Sequence, residues 1–135
     1  KCSQKIYECV QKVFSQKGTQ LDLHGCNIGD ASAIALAKIL PYLTQLQKLY
    51  LYYNQIGETG ATAIANSITN LTQLQELWLD YNQIRDTGAI TLAKSIEILT
   101  QLQEVNLDNN QIGDTGATAI ASSISNLTRL NCLNL

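Results

Sequence analysis

The sequence predicts an α/β solenoid in which one short strand and one helix alternate along the chain. Two observations carry this prediction. Leu46, Leu74, Leu102 and Leu130 recur every 28 residues, and self-similarity at a fixed period of about 20–50 residues marks stacked units that bury their apolar faces against one another. Within a unit the apolar spacing also switches. Leu49 and Leu51 alternate with a period of two, as in a strand with one buried face, whereas Ala61, Ile64, Ala65 and Ile68 fall at i, i+3, i+4 and i+7, the stripe of a helix.

Taken in order, the stretch SQKIYECVQKVF carries Ile6, Val10, Val13 and Phe14 at helical spacing, which predicts a capping helix within residues 1–17. Residues 18–135 then hold about four and a half units, starting near 18, 46, 74, 102 and 130. An acid opens each predicted helix (Asp30, Glu58, Asp86, Asp114), where it can cap amides or meet the positive end of the dipole. Gly60, Gly88 and Gly116 follow, and small alanines let neighbouring helices approach closely. The outer helical face offers a neutral polar coat of Thr62, Asn66, Ser67, Thr91, Ser95, Ser122 and Ser123. The chain holds no Met and stops within a unit, so it is expected to be a processed or excised piece whose last leucines, Leu133 and Leu135, form an uncapped edge open to association.

Asn54, Asn82 and Asn110 stand where each strand ends and the chain turns away from water. An inward amide there can bridge backbone groups of adjacent turns and build a ladder along the stack. Cys26 holds the same position in the first unit, where a small buried thiol is a tolerable substitute, so packing is its expected role.

The period and the pattern L-x-x-L-x-L-x-x-[NC]-x-[IL], joined to G-x-x-x-[IL]-x-x-x-[IL], resemble the ribonuclease-inhibitor type of leucine-rich repeat from about Leu21 to Leu135. The resemblance implies a horseshoe with a curved parallel sheet on the concave side and helices on the convex side. It also implies protein binding, since such scaffolds serve as enzyme inhibitors, innate sensors, GTPase activators and secreted bacterial effectors. Few, nearly identical repeats rich in Gln, Asn, Thr and Ile are similar in style to the effectors of intracellular bacteria, which would act in the host cytosol.

Because the scaffold positions hardly change between units, the residues that do change carry the functional information. Outward strand positions and the two that follow should project from the concave face. These are Asp22, His24 and Gly25; Lys48, Tyr50, Tyr52 and Tyr53; Glu76, Trp78, Asp80 and Tyr81; Glu104, Asn106, Asp108 and Asn109; and Cys132 and Asn134. Strands lie ~5 Å apart, so Tyr50 should stand beside Trp78, with Tyr52 and Tyr53 beside Asp80 and Tyr81, in a single cluster. Such rings give large contact area for little lost rotamer freedom and dominate binding hot spots. Asp22, Glu76, Asp80, Glu104 and Asp108 surround them, opposed only by Lys48. The expected partner is therefore another protein with a Lys- or Arg-bearing surface, and an Arg could stack on Trp78 while pairing with Asp80 or Glu76. The expected consequence is inhibition or regulation of that partner, with GTPase activation or scaffolding as the alternative.

Other classes are disfavoured. Nine Lys+Arg against eleven Asp+Glu leave a net charge of −2, with no basic field for nucleic acid or anionic lipid, and acids flank the rings that could stack bases. No apolar run approaches the ~18 residues of a membrane span, and no signal peptide is evident. No metal-ligand spacing, phosphate loop or secluded acid pair is present, so no cofactor, small-molecule substrate or catalysis is expected. His24 lies two residues from Cys26, but the thiol should point inward and the imidazole outward. Cys2, Cys9, Cys26 and Cys132 are too irregularly spaced for a disulfide framework; on a helix, Cys2 and Cys9 would lie about 10 Å apart. Free thiols in a cytoplasmic setting are expected. The Asn70-Leu71-Thr72 and Asn126-Leu127-Thr128 sequons sit at one repeat position and are read as repeat copies.

Overall fold

The computed structural model describes residues 2–135, with side chains from Ser3 onward, so the Cys2 thiol lies outside the described residues. Helix α1 (Cys2–Gln16) precedes five units. Their strands are β1 (Gln20–Asp22), β2 (Lys48–Tyr50), β3 (Glu76–Trp78), β4 (Glu104–Asn106) and β5 (Cys132–Asn134). Between them run α2 (Asp30–Ala37), α3 (Glu58–Ser67), α4 (Arg85–Ile96) and α5 (Asp114–Ser123). Each helix returns the chain to the same end of the sheet, so all neighbours pair in parallel in the order β1-β2-β3-β4-β5, an open sheet. The register is the repeat itself: Leu21 faces Leu49, Leu49 faces Leu77, Leu77 faces Val105 and Val105 faces Leu133.

The core lies between sheet and helices. Leu21, Leu49 and Leu77 are fully buried, as are Ile28, Ile56 and Ile84 at the turns, Ile64 on α3 and Ile68 just past its end. Close approach of the helices requires glycine at their first turn. A Cβ at Gly60 would fall 2.6 Å from Asp30 Oδ1 and 3.0 Å from the Ala33 Cβ.

Three expectations require correction. Phe14 is 59% exposed instead of capping the core. Ile6, Val10 and Val13 share the inward face, and Phe14 lies about 100° further round the helix, aligned with the equally exposed Tyr7 and with Ile39 of the first unit. The supposed outer coat is also partly interior: Ser67, Ser95 and Ser123 are buried. They satisfy their hydroxyls on their own helices, donating to the carbonyls of Ile64 (2.7 Å), Thr91 (3.3 Å) and Ile120 (2.7 Å). Finally, Asp30 and Asp86 cap not their own helix but the next one. Asp30 Oδ1 accepts the amides of Gly57 (2.8 Å) and Gly60 (3.0 Å), and Asp86 Oδ1 those of Gly113 (2.7 Å) and Gly116 (3.1 Å). Between the second and third units Glu58 replaces the Asp and Arg85 the Gly, and among the described residues no such cap forms. There α4 begins one residue early, at Arg85, which holds a left-handed φ of 56°.

The strand-end asparagines are buried and fully engaged. Asn54 Oδ1 accepts from Cys26 N (3.0 Å) and Ile28 N (2.9 Å), while its Nδ2 donates to the carbonyls of Leu23 (3.1 Å), Leu51 (2.9 Å) and Tyr52 (3.3 Å). Asn82 and Asn110 each donate to the preceding and to their own unit, and accept from Ile56 N (3.0 Å) and Ile84 N (3.2 Å). Every bridge therefore reaches backward. Cys26 stands in the first unit, where α1 precedes β1 and no earlier strand end needs bridging; it is buried, its Sγ 3.5 Å from its neighbour carbonyl at His24.

Candidate protein-interaction face

Because units repeat every 28 residues in parallel register, the concave face is ruled into rows. One row runs Asp22, Tyr50, Trp78, Asn106 and Asn134, and another Gln20, Lys48, Glu76, Glu104 and Cys132. Beyond the strands the same ladder continues, with Gly25 N donating to the Tyr52 carbonyl, Tyr53 N to that of Asp80 and Tyr81 N to that of Asp108. It carries two further rows: His24, Tyr52, Asp80, Asp108 and Gly25, Tyr53, Tyr81, Asn109. The Cys26 side chain is buried while His24 is exposed, so thiol and imidazole lie on opposite sides of the chain.

Rings from adjacent strands stack. Tyr50 and Trp78 have centroids 4.5 Å apart with planes at 29°, and Tyr53 and Tyr81 are 4.3 Å apart at 12°. Tyr52 leans back onto His24, 4.9 Å away and nearly parallel, instead of forward over Asp80. Edge and tilted contacts from Tyr52 to Tyr50, Tyr53 and Trp78, at 5.9–6.3 Å, join all six rings into one cluster. The imidazole is the member that the sequence placed on the concave face without joining it to the rings; its position one repeat before Tyr52 was the available signal.

The last row carries a conformational cost. Gly25, Tyr53, Tyr81 and Asn109 all hold φ between 55° and 59°, a region that Gly and Asn tolerate but that costs other L-residues roughly 1–2 kcal/mol. The first and fourth units place Gly and Asn there, whereas the second and third place tyrosine. Stacking of the pair returns about 0.5–1.5 kcal/mol, so the two rings bring the fold little net gain. Both remain on the surface, Tyr53 at 54% and Tyr81 at 43% exposure.

The charged groups divide into spent and unspent. Asp22 pairs with His24 (2.7 Å). Lys48 meets Glu76 (3.0 Å), whose other oxygen accepts the Tyr50 hydroxyl. Burial, that bond and the charges of Glu76, Glu104 and Asp22 hold the Tyr50 phenol far above its ordinary range. Burial and Asp22 and Asp80 raise Tyr52; for Tyr53 a hydrogen bond with Tyr81 is the first cause. Asp80 is different. Its Oδ1 is enclosed without a hydrogen-bond partner, and desolvation, aided by Asp108 and opposed by its own amide, raises its carboxyl above the usual range. Among the described residues no group of three or more His, Cys, Asp or Glu is arranged to hold a metal ion.

Comparison with known proteins matches the repeats and the fold. The family described as "Leucine Rich repeats (2 copies)" matches residues 44–94 and 72–117, together more than half of the chain, and "Leucine Rich repeat" matches residues 19–37. No curated protein matches. Among solved structures, leiomodin-1 actin-binding site 2 superposes with a TM-score of 0.81 at 20% identity, over 94% of this chain and 76% of that one. An internalin from Listeria monocytogenes aligns over 72% of this chain and 30% of its own, at 23% identity and a TM-score of 0.40. The chain belongs to the leucine-rich-repeat family, whose members are typically non-enzymatic modules that bind other proteins.

Proposed function

We propose that the concave face of β1–β5 binds a protein carrying Lys or Arg at its contact surface, and that binding covers a functional surface of that partner and so inhibits or regulates it. The observation that carries this is the six-ring cluster spanning three units, two of whose tyrosines sit in a backbone conformation that disfavours them. Residues held at a conformational cost on a rigid scaffold cluster at ligand clamps and switch regions, which supports a purpose outside folding for this stacked pair. Glu104 and Asp108 give the rim its negative potential, which steers a basic partner and repels phosphates. Leiomodin-1's matching domain is, by its title, an actin-binding site; at its level of identity it supports the fold, and the partner's chemistry is argued from this chain's own face. The ribonuclease-inhibitor subtype is supported by the 28-residue unit with a full helix on its convex side. A cytosolic setting, and action as a bacterial effector in a host, rest on composition and belong to the same proposal.

The test is capture from cytosolic extract by the wild-type chain and by the Trp78→Ala, Tyr52→Ala double variant. Loss of the captured partner with an unchanged circular dichroism melt supports the proposal; undiminished capture overturns it. Assaying the captured partner with and without the chain separates regulation from recruitment or GTPase activation.

A further inference from the structure

The concave face contains a step. In β2 and β3 it is built of rings; in β4 the same rows continue with the shorter Asn106, Asp108 and Asn109. Tyr50 covers one face of the Trp78 indole and Tyr53 one face of the Tyr81 phenol, so the opposite faces look across β4 over Asn106 and Asn109. They form a wall above a polar floor.

The carboxylates at its foot are, with Glu104 one row away, the ones that no basic side chain among the described residues pairs. Asp22 is paired with His24, and Glu76 with Lys48 and Tyr50. Asp80 and Asp108 share a row on adjacent strands, and no basic side chain among the described residues pairs with either. Asp108 Oδ2 receives one amide, from Asn109 (2.9 Å), while Asp80 Oδ1 receives nothing. Two like charges in neighbouring positions, unpaired by any basic side chain among the described residues, suit a cation with several donors.

We propose that this step seats one guanidinium group of the partner, an arginine side chain lying flat on the Trp78 indole and held by the carboxylates of Asp80 and Asp108. A planar fork satisfies both demands together, stacking on a ring while donating to two carboxylates. An ammonium is a compact, strongly hydrated point charge and meets only the second. Of the two acids named for this role from sequence, Asp80 and Glu76, the second is already engaged. The inference rests on the protein-binding proposal and gives it a specific anchor.

Trp78 is the sole tryptophan of the chain, so its emission reports this step directly. The full chain is titrated with an acetylated, amidated Gly-Arg-Gly tripeptide, with its lysine and citrulline counterparts, and separately with calcium chloride. Expected is a saturable change with the arginine tripeptide. It should weaken about tenfold with citrulline and in Asp80→Asn or Asp108→Asn, matching loss of one charge-assisted hydrogen bond, and lysine should fall between. A melt confirms that each variant is folded. Equal response to citrulline, undiminished response in both folded variants, or displacement of the tripeptide by calcium overturns the seat. If the Trp78→Ala, Tyr52→Ala variant still loses its partner while the tripeptides give no response, only the seat falls. If partner capture survives that variant, the protein-binding proposal falls too.

Discussion

Removing the Asn54 side chain should show how much of the solenoid's stability runs through its strand-end amides. In Asn54→Ala the backbone amides of Cys26 and Ile28, both buried, lose their acceptor, and the Leu23 and Leu51 carbonyls lose a donor. A buried donor left unsatisfied costs about 1–3 kcal/mol, so the two amides alone predict a loss of about 2–6 kcal/mol, out of a total that for a domain of this size is ~5–15 kcal/mol. Asn82 serves one amide, that of Ile56, and Asn82→Ala should cost about half as much by the same count. Urea unfolding followed by far-ultraviolet circular dichroism and by Trp78 emission measures both. Since repeat stability is a sum of units and their interfaces, the Asn54 variant should also uncouple the two probes, the dichroism falling before the indole responds. A loss below about 1 kcal/mol for Asn54→Ala, under the lower bound for one orphaned buried amide, would refute the ladder as a source of cohesion.

Other expectations follow from single positions. Asp80 has its folded-state pKa raised above the ordinary 3.8, chiefly by desolvation, so the protonated form is the one the fold prefers. Its contribution is present in full below 3.8 and is lost as pH rises through the folded value. Asp80→Asn should therefore unfold at higher urea than wild type near neutral pH, with the gap closing in acid; a gap that is absent or reversed at neutral pH contradicts this. Gly116→Ala, despite a helix-propensity gain of ~1 kcal/mol, should destabilise by about 1–3 kcal/mol, because its Cβ would fall 2.7 Å from both Asp86 Oδ1 and Ile112 Cγ2. Asp30→Ala, which uncaps α3, should cost about 0.5–2 kcal/mol, and thermal melts read both. On α1, Val13→Ala should cost about 1.5–3 kcal/mol through lost burial and a cavity, whereas Phe14→Ser should stay within about 0.5 kcal/mol of wild type, since that ring is largely in solvent.

The fold was legible because its cause is periodic. A 28-residue unit dictates both strand register and helix stacking, and Leu21, Leu49 and Leu77 align as the spacing requires. The ring cluster was legible for the same reason, as variation against a constant frame. The asparagine ladder between units was legible too; what escaped were the other side-chain contacts between units, which a reading of one unit at a time does not display. Asp30 looks like the cap of its own helix, yet it serves Gly57 and Gly60 one repeat later. The sign was available in the sequence, because Glu58 and Arg85 depart together where that pairing is lost. The engagement of Glu76 by Lys48 and Tyr50 likewise depends on side-chain reach across β2 and β3, as does the lean of Tyr52 onto His24. Phe14 was misplaced because helical spacing fixes an angle without fixing where the contact with β1 stops.

The most direct test of the concave face as the binding surface is site-specific photo-crosslinking in extract, with the photoreactive side chain placed in turn at Asn109 on the floor of the curve and at Thr118 on the convex helix α5, both exposed positions. The account predicts one discrete adduct from position 109, abolished by Trp78→Ala with Tyr52→Ala, and none from position 118. The same adduct from the convex position, or an adduct at 109 that survives loss of the rings, would contradict it.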